Sequence, residues 1–492
     1  MNRKVSQSSE TISDSARGML LPLVLAQFLC SFAATTMNVA ISNIATDLGT
    51  TVSGVQTAIT FFTLTMAALM IPGSKLTDIW GRKFCFQLGL VVYGAGALVA
   101  AFSQGLPMLV LGYSLGEGIG TALLIPPVYI LATVFFTTTQ SRARAFGAIS
   151  AAGGIGSAAG PLIGGLITTA TSWRVAFAVQ ALIALLIIYL GRRILDPGVQ
   201  GPKPKFDLVG AVLSAAGLFF IVVGILQADS YGFWRATQDF AIGGTVIIPA
   251  GGISPVWLFV LLGAVLLGAF FWHIRRTERA GKEPLLSMRM FQNRTSNLGL
   301  VTQNIQWLVL LGLSFVVSVF LQTVRGYSAI ETGLILTPAT VGILVSSLAA
   351  GRMAQKRSQA TLIRAGFVVT VIGVILLLAL AGATTNILTF VPGLLFVGLG
   401  VGVMLTSSVN VVQSSFPEED QGEISGLSRS VSNLGSSLGV AIAGTVMVSS
   451  LATGNEGYRW ALIVLTVFAL VGLGAAMLLP SKPVAAPSET SA

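Results

Sequence analysis

Glu117 stands alone as an acid within a long apolar run, LGYSLGEGIG at residues 111–120, and an unpaired ion at mid-bilayer costs at least ~3 kcal/mol. Such a residue needs a neutral state, a partner or a wet cavity, and each implies different chemistry. A carboxyl buried this way can exchange a proton in the physiological range, bind a cationic ligand, or stay protonated against a neighbour such as Tyr113. At helical spacing Tyr113, Glu117 and Thr121 share a face, Ser114 lies one turn away, and Gly112, Gly116 and Gly120 form a packing stripe beside them. Glu117 is about ten residues into its run, ~15 Å at helical rise and near the membrane midplane. Proton coupling is the favoured role; cation binding and hydrogen-bonded packing stay open beside it.

Other polar residues inside apolar runs sketch a cavity, since polar groups in hydrocarbon face the interior of a bundle. The first run aligns Gln27, Ser31, Thr35, Asn38 and Ser42; a later one carries Gln303, Asn304, Gln306 and Trp307; another carries Thr406, Ser407, Ser408, Asn410 and Gln413. Interhelical hydrogen bonding is the competing role for each of these. Arg429 lies on one helical face with Ser425, Ser432 and Ser436. It has three candidate roles: snorkelling to the interface, contacting substrate, or pairing with Asp78 or Glu423 in a latch, the last being favoured. No His/Cys metal set and no G-x-x-x-x-G-K-[ST] phosphate loop occurs, so no metal, cofactor or ATP is expected. The one histidine, His273, reads as interfacial, and Cys30 and Cys85 as small buried apolar residues.

The elements that must position these groups are membrane helices. Of 492 residues, 54% are hydrophobic and 9% charged, against about 25% charged in soluble domains. Apolar spans fall near 19–43, 52–72, 85–104, 107–134, 143–169, 174–195, 207–228, 256–276, 296–322, 330–351, 360–382, 386–414, 422–450 and 459–480. The fold class is therefore all-α and polytopic, with fourteen helices. Residues 1–18 and 481–492 read as tails, the first of them disordered, and the first span is too long for a cleaved signal core.

The +10 net charge suggests nucleic acid, but the cations are scattered between spans. Alternate loops carry Lys75, Arg82 and Lys83; Arg142 and Arg144; Arg192, Arg193, Lys203 and Lys205; Arg275 to Arg294; and Arg352, Lys356 and Arg357. The opposite loops hold little beyond Arg174, Arg235, Arg325 and Arg459. The basic set is expected in the cytoplasm, with both termini. Three segments recur at offsets of 277, 279 and 282: SKLTD (74–78) with GRMAQ (351–355), GSAAGPLIGG (156–165) with GSSLGVAIAG (435–444), and GEGIG (116–120) with GLGVG (398–402). They imply two related six-helix bundles, 19–195 and 296–480, separated by a 196–295 insertion of two helices. Internal repeats around a midplane site mark secondary transporters.

Two motifs carry a resemblance. SKLTDIWGRK (74–83), between the second and third helices, resembles the G-x-L-x-D-R-x-G-R-K loop of the major facilitator superfamily, with Asp78, Gly81, Arg82 and Lys83 matching and Ser74 and Ile79 departing. GIGSAAGPLIGGL (154–166) resembles the antiporter motif of that superfamily at Gly156, Gly160, Pro161, Gly164 and Gly165. With the 6+2+6 layout, SWRVAF (172–177) and LSRSVSNLGSSLGVAIAGTV, the chain resembles the fourteen-helix drug/proton antiporters from about residue 20 to 480.

That resemblance implies alternating access around a cavity lined by the first, fourth, ninth and twelfth helices, with Asp78, Arg82, Lys83 and Arg429 as a cytoplasmic latch. The cavity set becomes Gln27, Ser31, Asn38, Tyr113, Glu117, Thr121, Gln303, Asn304, Trp307, Ser407 and Asn410. The family's usual acid in the first helix is replaced by Ala33, and its usual Arg and Gln in the fourth by Ser114 and Glu117. The expected function is proton-driven export of lipophilic small molecules, cationic ones among them, by a monomer in the cell (inner) membrane that binds no nucleic acid. The alternatives are export of one specific metabolite or lipid-like compound with weak or different proton coupling and, remotely, a non-transporting sensor or membrane enzyme on the same fold.

Overall fold

A computed structural model describes residues 2–136, 139–194, 205–242, 245–354, 356–381, 386–417, 420–449 and 455–480. Among the described residues fourteen helices are long and apolar enough to cross a membrane. The first six are α1 (Met19–Val39), α2 (Val52–Trp80), α3 (Arg82–Ala101), α4 (Leu106–Ala132), α5 (Gly147–Ala170) and α6 (Trp173–Gly191). Two more follow, α7 (Leu208–Tyr231) and α8 (Pro255–Arg279). The last six are α9 (Arg294–Val324), α10 (Ala329–Ala354), α11 (Gln359–Leu380), α12 (Ile387–Gln413), α13 (Gln421–Ser449) and α14 (Asn455–Met477). An even number of crossings places residues 2 and 480 on one face, here the terminal face; the other is the far face.

Two details depart from the sequence reading. The helix carrying α1 begins at Asn2, so the backbone of residues 2–18 is helical where a disordered tail is expected. Residues 2–17 contain neither Pro nor Gly, and a helix anchored in a packed span propagates through such a stretch at little cost. The SKLTD stretch is likewise the last turns of α2 and not a loop. The α2–α3 reversal falls on Gly81 alone, at φ 97°, a conformation that glycine adopts without a Cβ clash. Residues 481–492 and 195–204 lie outside the described residues, as do the side chains of Arg142 and Arg144.

Small residues set the helix spacing. Gly156, Gly160 and Gly164 of α5 pack against Phe28, Thr35 and Thr36 of α1. Gly435 and Gly439 of α13 pack in the same way on Asn304 and Leu308 of α9. The two six-helix sets meet where α5 lies on α10 and α2 on α13: Gly165 touches Ala329, Gly333 touches Pro161, and Gln56 donates to the Val440 carbonyl at 3.0 Å. Helices α7 and α8 pair with each other, and α7 leans on the seam through Val222 and Ile225 against Leu64 and Ala441. Burial of the most apolar window is 22% in α8 and 72% in α9, which places α8 toward lipid and α9 in the interior.

The α7–α8 connection contains an antiparallel hairpin, Phe240–Ile242 with Thr245–Ile248, where the TVII run suggests one. His273 of α8 pairs with Asp207, the residue capping α7, at 2.9 Å, so it ties the inserted helices together. Cys30 and Cys85 are buried and unpaired.

Candidate functional site

A cavity of about 130 Å³ lies between the two six-helix sets. Its polar side chains come mainly from α1 (Gln27, Ser31, Thr35, Asn38) and α13 (Arg429, Ser432, Asn433, Ser436), and apolar surface from Met66, Met70, Ile125 and Trp307 covers most of the rest. A second, larger space of about 640 Å³ opens toward the terminal face, bordered by Asp78, Arg82, Tyr129, Glu423 and Arg429. Met70, Ile125 and Arg429 border both spaces and form the partition between them.

The far face is closed. Gln322 of α9 donates to the Asn38 carbonyl at 2.9 Å and accepts from the Ser42 backbone at 3.0 Å. Nearby the Ile330 backbone donates to the Thr169 hydroxyl at 3.1 Å. These bonds, with the Gly165–Ala329 and Gly333–Pro161 contacts, join the two sets on that side. The conformation is therefore open toward the terminal face.

The partition is polar and directional. Arg429 lies over the Tyr129 ring at 4.8 Å and donates to its hydroxyl. Tyr129 donates to Gln27 Oε1 at 3.2 Å, and Gln27 Nε2 donates to Ser31 Oγ at 3.2 Å. In this state, open at the terminal face, the described hydrogen bond of Arg429 goes to the phenol of Tyr129, while Asp78 and Glu423 border the same space; the latch is expected in the other state. Lys83 donates at 3.0 Å to the Arg192 carbonyl at the end of α6, where a cation meets the negative end of the helix dipole. Asp78 and Arg82 do border the terminal-face space, with Lys75 and Arg82 as the cations nearest Asp78.

Of the expected cavity residues, Gln27, Ser31, Asn38, Thr121 and Trp307 line the cavity. Tyr113, Glu117, Gln303, Asn304, Ser407 and Asn410 do not. Tyr113 stacks on Phe62 at 4.5 Å. Gln303 accepts from Ser428, and Asn304 donates to the Val431 carbonyl, so both serve α9–α13 packing. Ser407 is buried away from the cavity, and Asn410 is exposed near the terminal face. The physical reason is common to these residues: a half-turn error in facing turns an interior polar group from the lumen to a neighbouring helix. The sequence reading passed over the contribution of α13 to the cavity wall, although the Ser432 and Ser436 spacing was its signal.

Glu117 sits one layer behind the wall. It is fully buried inside the first six-helix set beside Tyr93 and Tyr113, with Cys30 and Thr121, both wall residues, between it and the cavity. The Tyr93 hydroxyl lies within reach of the Glu117 carboxyl but donates its one proton to Gln180 Oε1 at 2.5 Å, so neither carboxyl oxygen accepts a well-formed hydrogen bond among the described residues. A carboxylate finds no donor here, whereas a protonated carboxyl could donate to Tyr93.

The local backbone explains how the acid arrives there. Residues Val110–Glu117 form a π-helical stretch within α4, a rare insertion that tends to mark functional sites. Its effect shows against the second set. Gly112 packs on Ala100 as Gly393 does on Leu377, and Gly120 packs on the α3 face beside Gly89 as Gly400 does on Gly366. Eight residues separate the first pair of contacts along α4, and seven the second along α12. The extra residue lies in the π turn that ends at Glu117. By these contacts the counterpart of Glu117 is Val397, not the Leu399 that repeat alignment suggests.

Two bundles of membrane helices enclosing a central cavity open at one face define a membrane transporter. The chain belongs to the Major Facilitator Superfamily, whose sequence profile matches residues 23–249 and 208–440. It is similar to the probable actinorhodin transporter of Streptomyces coelicolor (29% identity, 85% of this chain and 70% of the relative). It is equally similar to the puromycin resistance protein pur8 of Streptomyces alboniger (29%, 88% and 82%), and it resembles the multidrug transporter protein MdtP of Bacillus subtilis (26%, 91% and 77%). Among solved structures the human organic anion transporter MFSD10 (TETRAN) shares the fold, with a TM-score of 0.58 at 14% identity over 94% of this chain and 99% of that one. The chain is a multi-pass membrane exporter of this superfamily, not an enzyme.

Proposed function

We propose that the chain exports lipophilic small molecules by proton antiport, rocking its two six-helix sets between the observed state and one open at the far face. The carrying observation is the mostly apolar cavity between the sets, sealed at the far face and separated from the terminal-face space by one polar partition. Relatives named for transport of, or resistance to, antibiotics and drugs support that cargo class. The basic loops on the terminal face support assigning it to the cytoplasm, and on that assignment the observed state is the one that loads cargo from the cell interior.

Glu117 is the coupling acid in this proposal. It is the only acid among the described residues with no solvent exposure, its side-chain neighbours include the Tyr93 hydroxyl, and it lies near the wall residue Cys30. A proton taken up from the far side neutralises the acid for the return, and its release toward the terminal face in the observed state accompanies cargo loading. Direct cation binding by Glu117 is disfavoured by its position behind the wall.

The test is Glu117→Gln in proteoliposomes with an imposed pH gradient. The variant is expected to fold, bind cargo and exchange it downhill, while losing gradient-driven accumulation. Normal accumulation by Glu117→Gln would leave the acid as packing and place coupling elsewhere.

A further inference from the structure

Among the described residues Arg429 is the only charged one lining the central cavity, and no carboxylate joins it there. Among the described residues no acid pairs with it, and its described hydrogen bond is the one to Tyr129. A guanidinium carries five N–H donors in a planar fork suited to a carboxylate, so most of that capacity faces the spaces it borders. Arg429 is eight residues into α13, ~12 Å at helical rise from the terminal-face end. A cation at such depth is costly without a counter-ion. From the superfamily exporter reading above, on which this inference rests, we propose that Arg429 is a substrate ligand and that the cargo is an amphipathic organic anion: a lipophilic body bearing one carboxylate or similarly acidic group.

Four further observations fit. Tyr129 holds the guanidinium plane by its ring face and hydroxyl, which pre-orients the fork and limits the entropy lost on binding. The partition position means that a molecule entering from the 640 Å³ space meets Arg429 before the cavity. The cavity alone, at about 130 Å³, is below the ~300 Å³ of small drug-type sites, so a cargo must extend past Arg429 in this state. At the other end Asn38 lines the cavity at 1% exposure, with neither its amide nitrogen nor its oxygen hydrogen-bonded. A buried amide without a partner costs free energy and offers a donor and an acceptor roughly 17 Å along α1 from Gln27. The site therefore suits an anionic head at Arg429, an apolar body against Met66, Met70 and Trp307, and a hydrogen-bonding group at Asn38.

This departs from the cationic cargo that the sequence reading included among lipophilic molecules, and matched probes decide it. Purified protein in vesicles would be tested with 1-pyrenebutyrate, its neutral amide and a pyrene quaternary ammonium of the same chain length. Wild type is expected to bind the carboxylate about tenfold more tightly than the amide, as a charge-assisted hydrogen bond allows, and the ammonium most weakly. Arg429→Gln should erase the carboxylate advantage while still binding the amide, which also shows that the variant is folded. Arg429→Lys should keep part of it, retaining charge without the fork. An ammonium or amide preference in wild type, no carboxylate binding, or an equal loss of all three probes in both variants would overturn the assignment. The exporter reading is scored separately by movement of the amide in wild-type vesicles: amide transport without a carboxylate preference sinks this proposal alone.

Discussion

At the scale of residues, the positions that matter most are those whose partners are missing or shared. Glu117 lacks a donor, Asn38 lacks both partners, and Arg429 spends one interaction on a phenol. Contrast Asp47, just beyond α1, which accepts from Trp173 Nε1 at 2.9 Å and from Arg174, while Arg174 also donates to the Ser103 carbonyl at 2.8 Å and lies over the Trp173 ring. That set accounts for the SWRVAF motif as a far-face fastener. The Arg174–Asp47 pair is about a third to a half exposed, so its charge term is small. Asp47→Ala is expected to cost about 1–2 kcal/mol through lost hydrogen bonds. Thermal unfolding in detergent should register a lower midpoint with unchanged cargo preference, and an altered preference would tie this fastener to the cavity.

At the scale of elements, the π turn in α4 is the feature to probe. Each residue in a helix turns the chain by ~100°, so one inserted residue re-aims everything on one side of it. Deleting Leu115, a half-exposed residue in the turn, should restore the seven-residue spacing seen between Gly393 and Gly400, a spacing that already packs well in α12. The deletion variant is expected to fold and to weaken gradient-driven accumulation, because Tyr113 and Ser114 are re-aimed relative to Glu117, which keeps its three-residue spacing to Gly120. Retained coupling would reduce the turn to a packing irregularity. The glycine motif of α5 acts at the same scale. Gly156, Gly160 and Gly164 seat α5 on α1, while Pro161 and Gly165 meet α10 of the other set, so one helix serves both packing within a set and contact between sets.

At the scale of the whole molecule, transport requires the far-face contacts to part. Thr169 and Ile330 touch across the two sets. A Thr169→Cys, Ile330→Cys double variant is expected to crosslink in this state and stop turnover until reduced; undiminished transport by the crosslinked protein would refute rocking at that seam. Asp78, at the terminal-face edge of α2 among cations, is proposed to latch the other state. Asp78→Asn should slow turnover several-fold while cargo affinity in the observed state stays near wild type, which equilibrium binding beside transport rates would check.

Much of this organisation is legible in the chain itself. Membrane helices must satisfy their backbone internally, so fourteen apolar runs specify fourteen spans, and charge between the runs marks one face. Glycine spacing announces the close helix pairs, because small residues are what permit backbone approach. Facing is a different matter. Whether Gln303 meets the lumen or Ser428, and whether Arg429 meets Asp78 or Tyr129, depends on rotations of a fraction of a turn that local spacing does not encode. The offset between repeats misses the extra residue in α4 because a π turn leaves no compositional mark. Sequence alone determined the class, the spans and the unusual acid. Only the tertiary structure decided which polar groups share a cavity, since that follows from how tens of helix contacts are satisfied together.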